Sequence, residues 1–454
     1  MAERDLTKGP VWRALASVSA PMTLGILAVL SVGIADSYFL GQLGGAPLAA
    51  VGFVYPIITA LSSLAIGLSA GANAAVSQAI GRKDDTAAVH RLSLHAVGIS
   101  LALSAAIALL LAAIYPFVFQ LMGAGEAVMK EIRGYMPLWA LSFPLLGTIM
   151  VINAIFRAHG DAALASIFMI LAAVINIALN PVFIFGLGPI EGMETAGAAL
   201  ATLVARSLAL AAAVIYALRK GYLRKCGTWM QDFGHSLTAI ASIGGPAAFS
   251  NAINPAGMAL VTAAVAKIGE PAVAGFGAAS RVQSVAMVVM LALSSGMGPV
   301  VGQNWGAGKH ERARSAVVQA WAFSVVYGLI LAVALTLLAK PLATLVVKDE
   351  EAASYMVEYL RIVGWSLFGY GILVTANAAM NARSKAFHAT GLSLVRIFVI
   401  YLPLVWVGLV LYGYTGILVA AVIANLAAVL GAIYLCRRTM LLPAINDLRQ
   451  ELRP

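Results

Sequence analysis

One carboxylate in this chain stands where a carboxylate is costly. Asp36 falls in the run 15–40, which carries no other charge and is long enough to cross a bilayer as a helix. A charge at such depth costs several kcal/mol unless it is paired, hydrated or neutralised, so residues of this kind tend to mark ion or proton paths. Asn176 and Asn180 are four residues apart and share one helix face. Two buried amides on one face need partners, and Asp36 with Thr202 can supply them, with Asn153 as a further member. The chemistry this set allows is reversible capture of H⁺, or of Na⁺ at Asp36, Asn176 and Asn180. A structural reading stands beside it: amides of this kind also hold membrane helices together, and Asp36 can be a carboxylate fixed by its neighbours.

Around that set lie residues suited to a cavity wall. Arg206 follows Thr202 by one helical turn on the same face, while Tyr38 and Met150 offer the aromatic and thioether surface that adaptable binding clefts use. Asn153, Tyr38, Met150 and Arg206 are therefore the substrate-cavity candidates. Arg206, Arg281, Arg361 and Arg396 are the cations within or near the apolar runs, and they are expected to snorkel or to pair locally. No His-x-x-x-His, paired carboxylates or Gly-x-Ser-x-Gly appears in the runs, so the reading is a non-enzyme without metal or cofactor. The loop Gly81-Arg82-Lys83-Asp84-Asp85 and its counterpart from Gly306 lack the strand-to-helix context of a phosphate loop.

The elements that must position these residues follow from composition. Of 454 residues, 61% are hydrophobic and 11% charged, a balance from which a water-exposed surface cannot be made. Continuous apolar stretches, rather than alternating ones, exclude a β-barrel. Twelve spans are expected, at about 15–40, 47–79, 92–118, 133–156, 163–187, 195–218, 237–266, 272–304, 316–338, 353–380, 389–412 and 415–436.

The net charge of +10 is a matter of topology. With the N-terminus inside, twenty Lys and Arg fall on inner segments and five on outer ones, the outer being Lys130, Arg133, Lys267, Lys340 and Lys348. That bias places both termini in the cytoplasm and leaves no call for nucleic acid. Cys226 and Cys436 both fall on the inner side, where a structural disulfide is not expected. The N-terminal run lacks the layout of a cleaved signal.

The chain also repeats itself. Leu15 to Pro21 resembles Ile240 to Pro246, and Ser77-Gln78-Ala-Ile-Gly81 resembles Gly302-Gln303-Asn-Trp-Gly306, both at an offset of 225; further on, Asn153 matches Asn377 and Gly197 matches Gly416. Six spans per copy set both copies the same way up, as in transporters with two lobes about a central site. The expected organisation is an N-terminal six-helix lobe at 1–218, a cytoplasmic joining loop at 219–235, a C-terminal six-helix lobe at 236–436 and a cytoplasmic tail at 437–454. The repeat counterpart of Asp36 is Val261, so the carboxylate is no packing requirement of the fold.

The stretches Leu40-Gly41-Gln42-Leu43-Gly44, Gln78-Ala79-Ile80-Gly81, Ile175-Asn176-Ile177-Ala178-Leu179-Asn180-Pro181 and Val301-Gly302-Gln303-Asn304-Trp305-Gly306 resemble the multidrug and toxic compound extrusion (MATE) antiporters, over all twelve spans. The resemblance implies a cation-driven exporter of amphipathic, often cationic compounds in a bacterial inner membrane, with two lobes in a V opening alternately to each side. It implies that Asp36 is the ion-coupling acid, that Pro21 is the bend point of the first helix, and that Asn176, Asn180 and Thr202 are the positions around the acid. Asn180 stands where one branch has Asp, and Asn251, Asn254, Asn377 and Asn381 stand where another has C-lobe carboxylates. H⁺ and Na⁺ both remain open, with the balance toward H⁺ because the site has one negative group. A flippase of a lipid-linked precursor, which would want a strongly cationic cavity, is the alternative. Two complete lobes in one chain suit a monomer.

Overall fold

A computed structural model describes residues 5–224 and 230–443. Arg4, Lys225, Cys226, Arg449, Arg453 and most of the tail lie outside the described residues. In lipid every backbone polar group must be satisfied within the segment, and the chain answers with helix throughout. The N-terminal half holds α1 (Val11–Gly41), α2 (Gly45–Arg82), α3 (Thr86–Leu121), α4 (Glu126–Ala158), α5 (Ala162–Phe185) and α6 (Glu194–Arg219). A two-residue hairpin, β1 (Gly186–Leu187) with β2 (Ile190–Glu191), joins α5 to α6 in antiparallel register. The C-terminal half holds α7 (Phe233–Ala266), α8 (Glu270–Ala286), α9 (Val288–Gly306), α10 (His310–Val346), α11 (Glu350–Val363), α12 (Leu367–Ala382), α13 (Ala386–Leu394) and α14 (Leu402–Arg438).

These elements make twelve membrane-spanning helices in two six-helix lobes. α8 and α9 form one span bent by 47° at Met287. A 3₁₀ turn at Gly364–Ser366 carries α11 into α12, and a π-helical turn at Val395–Tyr401 carries α13 into α14. Within α14 the backbone reverses at Gly413, whose φ of 59° and ψ of −133° suit glycine, so this stretch serves two spans. The expected span limits of 412 and 415 bracket that turn. The bend at Met287, with neither Pro nor Gly at the break, carries no local signal in the sequence.

Packing divides the chain into two units. One takes Pro21–Ala248, the other Leu6–Ala20 and Phe249 onward. The boundary in α1 falls at Pro21. In the first unit the core is built on Trp139 and Phe143, stacked at 5.9 Å, with Phe119, Ile132 and Met136 buried around them. In the second, Phe276, Met290, Tyr359, Ile397 and Val405 are buried together. Outward faces stay apolar, as at Leu109 and Val410, which suits contact with lipid tails. Cys436 is buried and free.

Candidate functional site

The first unit brings four of the expected residues into one chain of side-chain hydrogen bonds. Asn180 Nδ2 donates to Asp36 Oδ1 at 2.6 Å and lies 3.3 Å from Asn176 Oδ1. Asn176 Nδ2 donates to Thr202 Oγ1 at 3.0 Å, and Thr202 donates in turn to the Ala198 carbonyl at 3.1 Å. The four-residue spacing on α5 sets the two amides one above the other between α1 and α6, which is why the chain closes. Asn176, Asn180 and Thr202 are buried, whereas Asp36 is half-buried.

The hydrogen-bond inventory leaves particular oxygens open. Asn180 Oδ1 is buried with no protein partner. Asp36 uses only Oδ1 among the described residues, and no basic group lies within 4.0 Å of it. Asp36 Oδ2 and Asn180 Oδ1 are thus two acceptors beside one negative charge, a set that fits a proton or a hard cation. Arg206 sits within electrostatic range of Asp36 and Tyr135 but makes its hydrogen bond elsewhere, to Ser142 Oγ at 2.6 Å, with its guanidinium 5.6 Å from the Trp139 ring centre. The acid therefore keeps its charge unpaired while feeling a nearby cation.

Other expected residues stand apart. Asn153 is buried on α4 with Oδ1 unpartnered, and it bonds to no member of the Asp36 chain. The Met150 carbonyl accepts from Ser69 Oγ at 3.1 Å and its side chain is half-buried. Tyr38, two residues past Asp36, is 64% exposed and meets Phe39 edge-on.

Sequence reasoning missed Ser166, a lone hydroxyl among many. Its Oγ donates to the Pro21 carbonyl at 2.5 Å, so α5 meets α1 at Pro21 as well as at Asp36. The approach depends on Gly25: a Cβ there would stand 3.0 Å from Ser166 Oγ, 3.1 Å from Met169 Sδ and 3.2 Å from Ser166 Cα. Gly25→Val is expected to force α1 off α5 and to lower stability by about 1–3 kcal/mol. An unchanged melting temperature in detergent would show that this contact is dispensable.

The model of the MatE family matches twice, over residues 21–182 and 246–407, the same 225-residue offset that relates the two halves of the sequence. The chain belongs to the MATE family. It is a transporter, not an enzyme. It is 33% identical over 435 residues to a protein of Shewanella oneidensis named FAD transporter, covering 95% of this chain and 96% of the relative. The multidrug export protein MepA of Staphylococcus saprophyticus is 24% identical over 438 residues, 95% of each chain. Two crystal structures of the Vibrio cholerae MATE transporter VcmN, an aspartate-to-asparagine variant and a bent form, match with TM-scores of 0.89 and 0.87. Their sequence identities are 30% and 31%, and each match covers 94% of this chain and 97% of that one. The family's members are multi-pass transporters, and the spans described above are its membrane helices.

Proposed function

We propose that this chain is a cation-coupled exporter of small amphipathic, often cationic compounds, with Asp36 as the coupling carboxylate. The observation that carries the reading is Asp36 held by Asn180 on one oxygen, open on the other, and without an ion pair among the described residues. A ligand shifts a two-state equilibrium only by its difference in affinity between the states. Neutralising Asp36, by H⁺ or Na⁺, weakens the charge-assisted bond from Asn180 and alters what Asn176 and Thr202 must satisfy. α1 touches α5 at both Asp36 and Pro21, so a change at the acid bears on the helix segment beside the proline. Exchange follows when the ion and the cargo favour different states. With one carboxylate and neutral oxygens, the donor set favours H⁺ over Na⁺. Basic inner segments and bacterial relatives support a plasma-membrane location with cytoplasmic termini, and two complete lobes support a working monomer.

A second reading of the cargo is a flavin nucleotide, favoured because the relative named FAD transporter is 33% identical to this chain, against 24% for MepA of Staphylococcus saprophyticus. One experiment tests both. Proteoliposomes of the purified chain are given a pH gradient or a Na⁺ gradient, and movement of ethidium and of FAD is followed in each. Movement of ethidium driven by either gradient supports the first reading; FAD movement alone supports the second. Movement indifferent to both gradients would refute coupling.

A further inference from the structure

The second unit buries a cation of its own. Arg396 sits on the π-helical turn of Val395–Tyr401, and turns of this kind are frequent at functional sites. It lies roughly 15 Å along the span that begins at Ala386, and its side chain is 9% exposed, so it does not snorkel to an interface. Its Nε and Nη2 both donate to Asn425 Oδ1, at 3.2 and 2.9 Å, and its Nη1 donates to Asn254 Oδ1 at 3.0 Å. Three of the five guanidinium N–H groups are thereby used, all on neutral oxygens. The other two meet no acceptor among the described residues, and no carboxylate lies within 4.0 Å. The Tyr370 ring covers one face at 5.1 Å.

The internal repeat shows that this cation is not a demand of the fold. At the 225-residue offset Arg396 corresponds to Leu171, as Asp36 corresponds to Val261. Asn425 corresponds to Arg206, the pair being 219 apart like Gly197 and Gly416; Ser366 corresponds to Ser142, 224 apart like Asn153 and Asn377. Both lobes keep the same contact, Arg206 with Ser142 at 2.6 Å and Asn425 with Ser366 at 2.9 Å. The second lobe therefore puts an amide where the first has a guanidinium, and uses that amide to aim a guanidinium from the neighbouring helix. The first lobe pairs its buried cation's field with an acid, and the second supplies none. A buried cation without a counter-charge is costly, and such residues inside membrane spans face cargo or ion paths.

We propose that Arg396, oriented by Asn425 and Asn254, is an oxyanion site in the second lobe that receives the phosphate or carboxylate of an exported organic solute. The two free N–H groups are donors in the planar fork that matches such oxygens. Mid-span depth assigns the site to a solute rather than to a lipid headgroup. The inference is independent of the coupling role given to Asp36.

The test uses the full chain in phosphatidylcholine nanodiscs, with riboflavin 5′-phosphate as the probe and riboflavin as the phosphate-free control, followed by flavin fluorescence anisotropy. The wild type is expected to bind the phosphate ester about tenfold tighter than riboflavin, the effect of one or two hydrogen bonds to a charged group. Arg396→Gln is expected to erase the preference and Arg396→Lys to retain part of it. Asn254→Asp keeps the arginine and sets a carboxylate against Nη1, so it too should erase the preference in a protein that melts cooperatively. Equal affinity for the two flavins in the wild type, or a full preference surviving in Arg396→Gln or Asn254→Asp, would overturn the proposal. Loss of the preference on adding phosphatidylglycerol to the discs would overturn the solute assignment in favour of a lipid headgroup.

Discussion

Asp36→Asn is expected to fold, to insert and to bind cargo, and to lose export driven by an ion gradient altogether. The substitution keeps the shape of the side chain and leaves an oxygen to accept from Asn180 Nδ2, now 2.6 Å away, so the chain through Asn176 to Thr202 persists. What disappears is the one group in that chain that can change charge. Without it the occupied and empty states of the site no longer differ in proton or Na⁺ content, and a gradient has no purchase on the conformational equilibrium. Transport in proteoliposomes should therefore fall to the level of protein-free vesicles, while the melting temperature moves by no more than a few degrees. Removal of a half-buried, unpaired charge can even raise it. Undiminished gradient-driven export by this variant would sink the assignment; collapse of its melting transition would instead make Asp36 a structural carboxylate.

The fold was legible because a bilayer reduces the problem to length and polarity. Runs such as 163–187 and 195–218 had to be helices, and the α5 and α6 that formed there differ from them only at the ends. The duplication was legible for a different reason: Pro21 with Pro246 and Gln78 with Gln303 are polar or helix-breaking residues in apolar surroundings, and the two family-model matches share the same offset. The part of the site carried by local spacing, Asn176 over Asn180, could be read directly. The acid's other contacts needed the fold. Ser166 reaches Pro21 from 145 residues away and carries no pattern of its own. Arg396, Asn425 and Asn254 come from separate helices with no spacing rule among them, so the expectation that Arg396 would snorkel or pair locally could not name the amides that hold it. Asn153 shows the converse: as an amide within a span it was expected as a further member of the Asp36 chain, but it sits on α4 and makes no hydrogen bond to that chain among the described residues.

Asn180→Asp is expected to turn the site toward Na⁺. The substitution puts a second carboxylate where Nδ2 now stands, 2.6 Å from Asp36 Oδ1, and it releases Asn176 Oδ1 from its contact with that nitrogen. The site then offers two negative groups and a neutral amide oxygen, where the present arrangement offers a hard cation only one negative group. Two facing carboxylates repel, so in Na⁺-free medium the variant should be less stable than the wild type; a bound ion should restore it, by about 2.7 kcal/mol at a hundredfold excess over the dissociation constant. The two readouts are the melting temperature titrated with NaCl against choline chloride, and export under a Na⁺ gradient at equal pH on both sides. The wild type should respond weakly in each, and the variant strongly in both. A variant as indifferent to Na⁺ as its parent, in both stability and transport, would mean that Asn180 does not border the ion. The hydrogen bond it makes to Asp36 would then be only the means by which α5 holds α1.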